Sequence, residues 1–509
     1  MGVSTAKLLP LAIVAGLFAL FIISGLRTGK RQASEYGFAG GYTGRVGIGA
    51  AIASNWMSAA SFLGLAGMFY LKGYFAMAYV VGWTGGYVLL LVLMATQIRR
   101  FGKYTAPDFV GFRYESDVAR TVAALISIVI AVIYSVAQFR GIALMVSWLF
   151  GIAYTPAVII GASLVVSFVV VSGTMGVARN QKLQYFVLII TFILPLMLLT
   201  RKLGYFWILP QFGYGAAIIE LQQQFGFAWS QPFVSDSPFA WFALCFTLMF
   251  GTAGLPHVLS RFYMVPGIRD ARWGVVWGLF FIALIYWSAP AYGVLARLFE
   301  ARSGIPFAVD PASADMIVLS AAGNGGLPVW VTGLLVAGGM SAAFSTVAGL
   351  MITGAASFSY DIYPRLIRPH ASESDKVYAA KGFFLLLAVT ALALALRPGG
   401  MMIAEIAALA FALAGNTIFP AFLLGIWWGR ANAVGVITGM LAGIGITFAS
   451  LLFGSSVPVI ATLLPATSSA FLGAPVVICI MIIASLLSAP PSDTIRSFLS
   501  REVHDCTEE

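Results

Sequence analysis

From residue 8 to residue 488 the chain is a succession of apolar runs, each about as long as a bilayer is thick and each bounded by charge, Gly or Pro. That pattern excludes most folds. A hydrocarbon core about 30 Å thick takes roughly 20 apolar residues as a helix, and backbone placed in it must satisfy its own hydrogen bonds. The runs are continuous rather than alternating, which excludes a β-barrel. Charged residues make up only 9% of the chain and hydrophobic ones 60%, against about 25% charged in a soluble domain. Such a chain cannot clothe a core in hydrated surface, and its natural solvent is lipid.

The expected architecture is an all-α membrane protein of thirteen spans, at approximately 8–26, 46–70, 74–97, 121–150, 156–174, 183–200, 238–256, 273–298, 328–360, 378–396, 402–428, 433–454 and 469–488. No small-residue cleavage site follows the first run, so it is read as a retained helix rather than a removed signal. With the N-terminus outside, 20 Lys and Arg fall on inside segments and 7 on outside segments. Positive charge marks the cytoplasmic side, so the expected orientation is N-terminus out and C-terminus in. The net charge of +10 is thus spread over loops and does not point to nucleic acid. Cys245, Cys479 and Cys506 form neither a CxxC pair nor a disulfide framework, and no metal-ligand spacing occurs.

Chemistry is expected where spans are interrupted, because irregular backbone at membrane depth is tolerated only inside protein or around a cavity. The second span contains Ala53-Ser54-Asn55-Trp56-Met57-Ser58-Ala59-Ala60-Ser61, and the seventh contains Phe250-Gly251-Thr252-Ala253-Gly254-Leu255-Pro256-His257. Small residues that merely allow close helix packing are the alternative. Two interruptions, each opening a set of five spans, favour an inverted repeat with a binding site between the halves. In the ninth span Ser345 and Thr346 place hydroxyls in mid-helix. They offer oxygens to a hard cation without fixed charge, or bond back to their own helix.

Candidate solute-facing residues are Asn55, Trp56, Ser58, Ser61, Thr252 and Gly254 at the two breaks, with Gln138 and Arg140 of the fourth span. An intramembrane Arg is costly and often functional, and a guanidinium suits a carboxylate. The other reading of Arg140 is a structural one, capping carbonyls or snorkelling to an interface. Glu405 is expected to be structural, Asn416 and Thr417 to satisfy a kink near Pro420, and His257 to make a helix-end hydrogen bond. Asp108 and Arg113 are expected to pin a cytoplasmic gate or cap.

On these stretches the chain resembles the sodium:solute symporters, most closely the acetate-permease branch. Residues 53–64, 82–88, 102–109, 251–257 with 261–262 and 265–266, and 342–346 match in order. The resemblance implies a leucine-transporter-like fold of 5+5 inverted repeats with flanking helices. It also implies a sodium ion between the first helix of repeat one and the third of repeat two. Its ligands would be the carbonyls of Ser54, Met57 and Ala342 and the hydroxyls of Ser345 and Thr346, with Ala53 as alternative to Ser54. Many relatives of this branch carry Asp where this chain has Asn55, which puts cation preference and coupling strength in question.

The expected layout is 1–45 N-terminal helix and linker, 46–203 repeat one, 204–237 extracellular loop, 238–428 repeat two, 429–490 C-terminal helices and 491–509 cytoplasmic tail. The expected function is symport, not catalysis. Sodium influx, with sodium as coupling ion rather than tightly held cofactor, drives uptake of a small organic solute such as acetate. Proton coupling or an amino acid or sugar substrate is the alternative within the fold; a sensor or channel is the alternative outside it. No catalytic set of the HExxH or GxSxG kind occurs. The partners are solute, sodium and the lipid bilayer, with no nucleic acid and no obligate protein partner. Short loops and no transit segment point to a bacterial inner membrane.

Overall fold

The computed structural model describes residues 5–29, 45–101, 105–231, 233–234, 236–263, 268–307, 313–397, 400–454 and 456–500. The linker at 30–44, the tail with Cys506, Gly102–Tyr104 and Val265-Pro266 lie outside the described residues. Every regular element among the described residues is helical. The main helices are α1 Thr5–Gly29, α2 Arg45–Trp56, α3 Leu65–Lys72, α4 Met77–Leu93, α5 Asp117–Phe150, α6 Tyr154–Lys202, α7 Pro238–Gly254, α8 Pro256–Tyr263, α9 Ile268–Ser303, α10 Val329–Ala356, α11 Glu373–Ala395, α12 Ile403–Asn416, α13 Ile418–Trp427, α14 Ala433–Phe453 and α15 Ala470–Leu486.

Ten helical stretches among the described residues are long and apolar enough to cross a membrane, eleven when the bent pair α7–α8 counts as one. Thirteen is not reached on that measure for two reasons. Residues 60–93 form one apolar stretch, although Gly73 at φ +55° turns the chain between α3 and α4. The last apolar helix, α15, has only 17 residues. Helix α6 is kinked at Gly173, whose φ of +62° only Gly adopts cheaply, giving apolar stretches 154–173 and 180–202.

The centre of the molecule is α10. It packs on α1, α5 and α6, and 94% of the apolar window it contributes is buried. Glycines allow this: a Cβ on Gly338 would overlap Thr191, and one on Gly339 would press on Met145 and Phe62. Around it, α2 and α3 pack on α9, while α7 packs on α4 and α12.

Both predicted interruptions are present. Helix α2 ends at Trp56, Met57 and Ser58 are non-helical, and the chain resumes as a π-helical turn, Ala60–Gly64, before α3. No Gly or Pro lies at this break. Side chains satisfy its freed N–H groups instead: Gln138 Oε1 accepts from Ala59 N at 2.8 Å, and Ser58 Oγ accepts from Ser61 N at 3.3 Å. The second break has a local cause. Pro256 forces Leu255 into extended geometry (φ −69°, ψ 119°), and the two half-helices diverge by 49°. A third interruption falls at Thr417, between α12 and α13 (φ −126°, ψ −71°), where Asn416 bonds Thr447 and Ser469.

Candidate cation and solute site

A helix leaves its last carbonyls without intrahelical partners. Those of α2 point at α10. Ser345 Oγ donates to Ser54 O at 2.6 Å and lies 2.9 Å from Ala342 O. Thr346 Oγ1 lies 3.1 Å from both Asn55 O and Met57 O. The five expected oxygens thus fall in two groups on neighbouring residues of α10, Ser54, Ala342 and Ser345 in one and Met57 and Thr346 in the other, the second joined by the carbonyl of Asn55. The Ala53 carbonyl accepts Met57 N at 2.7 Å instead. Every residue contributing an oxygen is buried to 1% exposure or less.

No carboxylate bonds to this cluster in any hydrogen bond or ion pair of the described residues. Asn55 Oδ1 accepts instead from Arg261 Nη2 of α8 at 2.9 Å and from Gln181 Nε2 of α6 at 3.3 Å. A cation here would be held by neutral oxygens at the negative end of the α2 dipole, with a guanidinium one residue away. Arg261 and Gln181 were not picked out as site residues from the sequence. Both lie in otherwise regular helix, and no local pattern aims them at Asn55.

Beside the break lies an aromatic cluster. The Trp56 indole donates to Tyr286 OH at 2.8 Å, and Ser61 Oγ lies 3.1 Å from the same oxygen. Tyr134 OH donates to Ser58 Oγ at 3.2 Å. Phe411 closes the group, its ring 5.5 Å from Trp56, 5.6 Å from Tyr134 and 5.9 Å from Trp83. His257, just past the second break, stacks edge-on to Tyr134 at 5.8 Å. Trp56, Ser58, Ser61 and Gln138 are thus brought together, on walls the sequence reading missed. Tyr134 was findable, one helical turn before Gln138 on the same face; Tyr286 and Phe411 come from remote segments and were not.

Several buried polar atoms here have no partner among the described residues: Gln138 Nε2, Trp83 Nε1 and both ring nitrogens of His257. The helix-end hydrogen bond expected of His257 is not made by its ring. An orphaned buried donor costs about 1–3 kcal/mol, so such a cluster marks a place where a polar ligand would repay its entry. Tyr134, Tyr286, Phe411, Ser58 and Gln138 are all 2% exposed or less. The group is buried in this conformation.

Three further candidates make other contacts. Thr252 Oγ1 donates to Leu248 O at 2.7 Å in its own helix, the back-bonding that apolar surroundings favour. Gly254 serves packing, since a Cβ there would lie 2.6 Å from Ala414 O and 2.9 Å from Phe419 N. Arg140 is buried within electrostatic reach of Asp315 and Tyr154. Asp315 is fully buried before α10, with Oδ2 accepting Ile403 N at 3.0 Å and Oδ1 without a partner among the described residues. Burial pushes its carboxyl up to about 7, against the pull of that hydrogen bond and of Arg140. The remaining polar groups are structural. Glu405 accepts Met402 N at 2.9 Å to cap α12. Arg113 donates to the carbonyls of Gly425, Ala431 and Trp428 at 2.6, 3.1 and 3.0 Å.

The family model described as "Sodium:solute symporter family" matches residues 36–443. An uncharacterized symporter of Cupriavidus necator is 29% identical, over 95% of this chain and 92% of its own length. An uncharacterized symporter of Bacillus subtilis is 31% identical, over 86% and 84%. Among solved structures, a substrate-bound, outward-open Na+-coupled sialic acid symporter superposes with a TM-score of 0.78 at 17% identity, over 95% of this chain and 99% of that one. A nucleobase-cation-symport-1 family transporter superposes with a TM-score of 0.54 at 13% identity, over 89% and 95%. Both show a shared fold. With a matched family model spanning most of its length and its oxygens gathered at a helix break, the chain belongs to the sodium:solute symporter family, the multi-pass membrane proteins that move a solute with sodium.

Proposed function

We propose that this symporter couples sodium entry to uptake of a short monocarboxylate such as acetate. Sodium sits among the oxygens of Ser54, Met57, Ala342, Ser345 and Thr346, and the solute in the enclosure formed by Trp56, Ser58, Ser61, Tyr134 and Gln138. The observation that carries the reading is the meeting of Ser345 and Thr346 with the carbonyls at the end of α2, beside buried side chains with unpartnered donors. Donors without acceptors favour an acceptor-rich solute, and an aromatic box of this kind favours a small one. A cation bound beside the break would fix its geometry and hence the solute's walls, which is coupling in physical terms.

Alternating access then requires the enclosure to open to one side at a time around the breaks. The reading includes the 5+5 repeat, thirteen spans with the N-terminus outside, and a bacterial inner membrane. Labelled acetate uptake into proteoliposomes, with sodium and pH gradients imposed separately, tests it. Saturable accumulation driven by sodium alone is expected, and competition by a solute panel ranks substrates. Uptake that follows the proton gradient and ignores sodium would overturn the coupling ion. Flux that never exceeds equilibration would identify a channel.

A further inference from the structure

Two cavities away from the transport site meet at Tyr360. One, about 280 Å³, is an apolar groove between α6, α10 and α11, lined by Val169, Ile352, Ala356, Phe384 and Leu385 with Lys381 and Tyr360 at its polar end. Its walls are partly turned outward: Leu385 of α11 and Val170 of α6 are exposed. Gly173 also lines it, and a Cβ there would meet nothing within 4 Å. The second cavity, about 460 Å³, is polar and contains Asp108, Arg120, Asp361, Arg365 and Lys376 beside the same Tyr360.

The charges in the second cavity divide into two groups. Arg120 is committed to acids, bonded to Asp108 and 4.0 Å from Asp361, whose other oxygen accepts from Thr105 at 2.7 Å. Arg365 and Lys376 pair instead with Asp117 and Glu373, carboxylates that are 78% and 76% exposed. Such surface pairs contribute little and exchange readily for a better anion. Both cations are held at Tyr360: Arg365 Nη1 donates to its carbonyl at 2.9 Å, and Lys376 Nζ lies 5.8 Å above its ring. Lys381 lines the groove, its Nζ 5.9 Å from the Tyr378 ring, and a lysine so placed can lay its stem along apolar surface with its charge at the rim.

An apolar groove open to the bilayer, ending in lysines and an arginine around a tyrosine, has the shape and charge of an amphiphile with an anionic head. We propose that the joined cavities bind an anionic phospholipid, one acyl chain lying between α6, α10 and α11 and the phosphate held by Lys376, Arg365 and Lys381. A zwitterionic lipid would bring its own cation to the place where Arg365, Lys376 and Lys381 already stand, and a soluble phosphate would leave the groove unfilled. The site is tied to transport through α10, which carries Ser345 and Thr346 and continues as the π-helical segment Ser357–Ile367 that holds Tyr360 and Arg365.

Delipidated full-length protein, titrated with phosphatidylglycerol, phosphatidylcholine or inorganic phosphate, tests this by thermal unfolding and by native mass spectrometry of retained lipid. Phosphatidylglycerol should be retained and raise the unfolding temperature, with phosphatidylcholine and phosphate far weaker. Lys376→Gln and Lys381→Gln, at the polar end, should each reduce the preference for phosphatidylglycerol roughly fivefold, the contribution of one cation beside an anionic lipid. Ala356→Phe, which fills the groove, should lower lipid retention while leaving the lysines in place. Equal binding of the two lipids, stabilisation by phosphate alone, or lysine variants with unchanged preference would each overturn the proposal.

Discussion

The Ser345 hydroxyl lies 2.6 Å from the carbonyl oxygen of Ser54, a residue 291 positions earlier in the chain. That contact occupies a carbonyl that the end of α2 leaves unpaired, and it brings α10 against the break. Without a cation the hydroxyl hydrogens are directed at the carbonyls. A bound cation would take the same oxygens, turning the hydroxyls from donors into ligands at the cost of two hydrogen bonds.

Ser345→Ala and Thr346→Ala each remove one oxygen from the cluster and little packing volume. Each is expected to raise the sodium concentration for half-maximal uptake by about tenfold, the equivalent of roughly 1.4 kcal/mol. The unfolding temperature in sodium-free buffer should change little. Measuring both separates coordination from stability: normal sodium dependence with a lowered unfolding temperature would assign these hydroxyls to packing.

Asn55 brings a neutral acceptor to Arg261 at 2.9 Å. Asn55→Asp adds a negative charge to a residue whose own carbonyl, with those of Ser54 and Met57, faces Ser345 and Thr346, and opposite charge nearby favours a bound cation. Sodium affinity should rise by roughly threefold to tenfold, limited by Arg261, whose guanidinium neutralises part of the new charge. Adding Arg261→Gln to Asn55→Asp should raise it further, as sodium titrations of uptake would show. A double variant weaker than the single one would contradict this electrostatic account.

Gln138 performs two tasks with two atoms. Its Oε1 accepts the freed N–H of Ala59 at 2.8 Å, while Nε2 has no partner among the described residues. Gln138→Glu keeps the acceptor and replaces the free donor with negative charge. For a carboxylate solute KM should rise at least about tenfold while sodium dependence persists; a neutral solute would lose much less.

Asp315 sets a pH dependence with a defined sign. Burial raises its pKa from 3.8 to about 7, so between those values the folded protein holds a proton that the unfolded chain has released. Stability is then full below the lower value and falls as pH rises through the higher one. Asp315→Asn keeps an acceptor for Ile403 N and never ionises. Its unfolding temperature should match the parent near pH 4 and exceed it by roughly 1–4 °C at pH 8, measured by thermal unfolding across that range.

Arg113 is a structural counterpart to these site residues. Its guanidinium spans three carbonyls between Gly425 and Ala431, and each orphaned carbonyl costs about 1–3 kcal/mol. Arg113→Met should lower thermal stability severely. Arg113→Lys should rescue only in part, because one ammonium cannot reproduce the planar fork.

The sequence alone determined that this chain lives in lipid, that its spans are helices, and where two of them are weak. Those facts rest on local physics: apolar length against bilayer thickness, and a proline that forces the residue before it out of the helical region. Local weakness at residues 53–61 was also legible, and so were Ser345 and Thr346 as unusual hydroxyls. What the tertiary structure decided was the use made of that weakness. No Gly or Pro breaks the chain at Met57 and Ser58; the break is held by Gln138 from α5 on one side and by Ser345 and Thr346 from α10 on the other. Likewise nothing local distinguishes Arg140 at a break from Arg140 near Asp315, or Thr252 facing a solute from Thr252 bonded to Leu248. Arg261 and Gln181 reach Asn55 only because α6, α8 and α2 are packed together. Partners hundreds of residues away choose among conformations that the local sequence leaves nearly equal in energy.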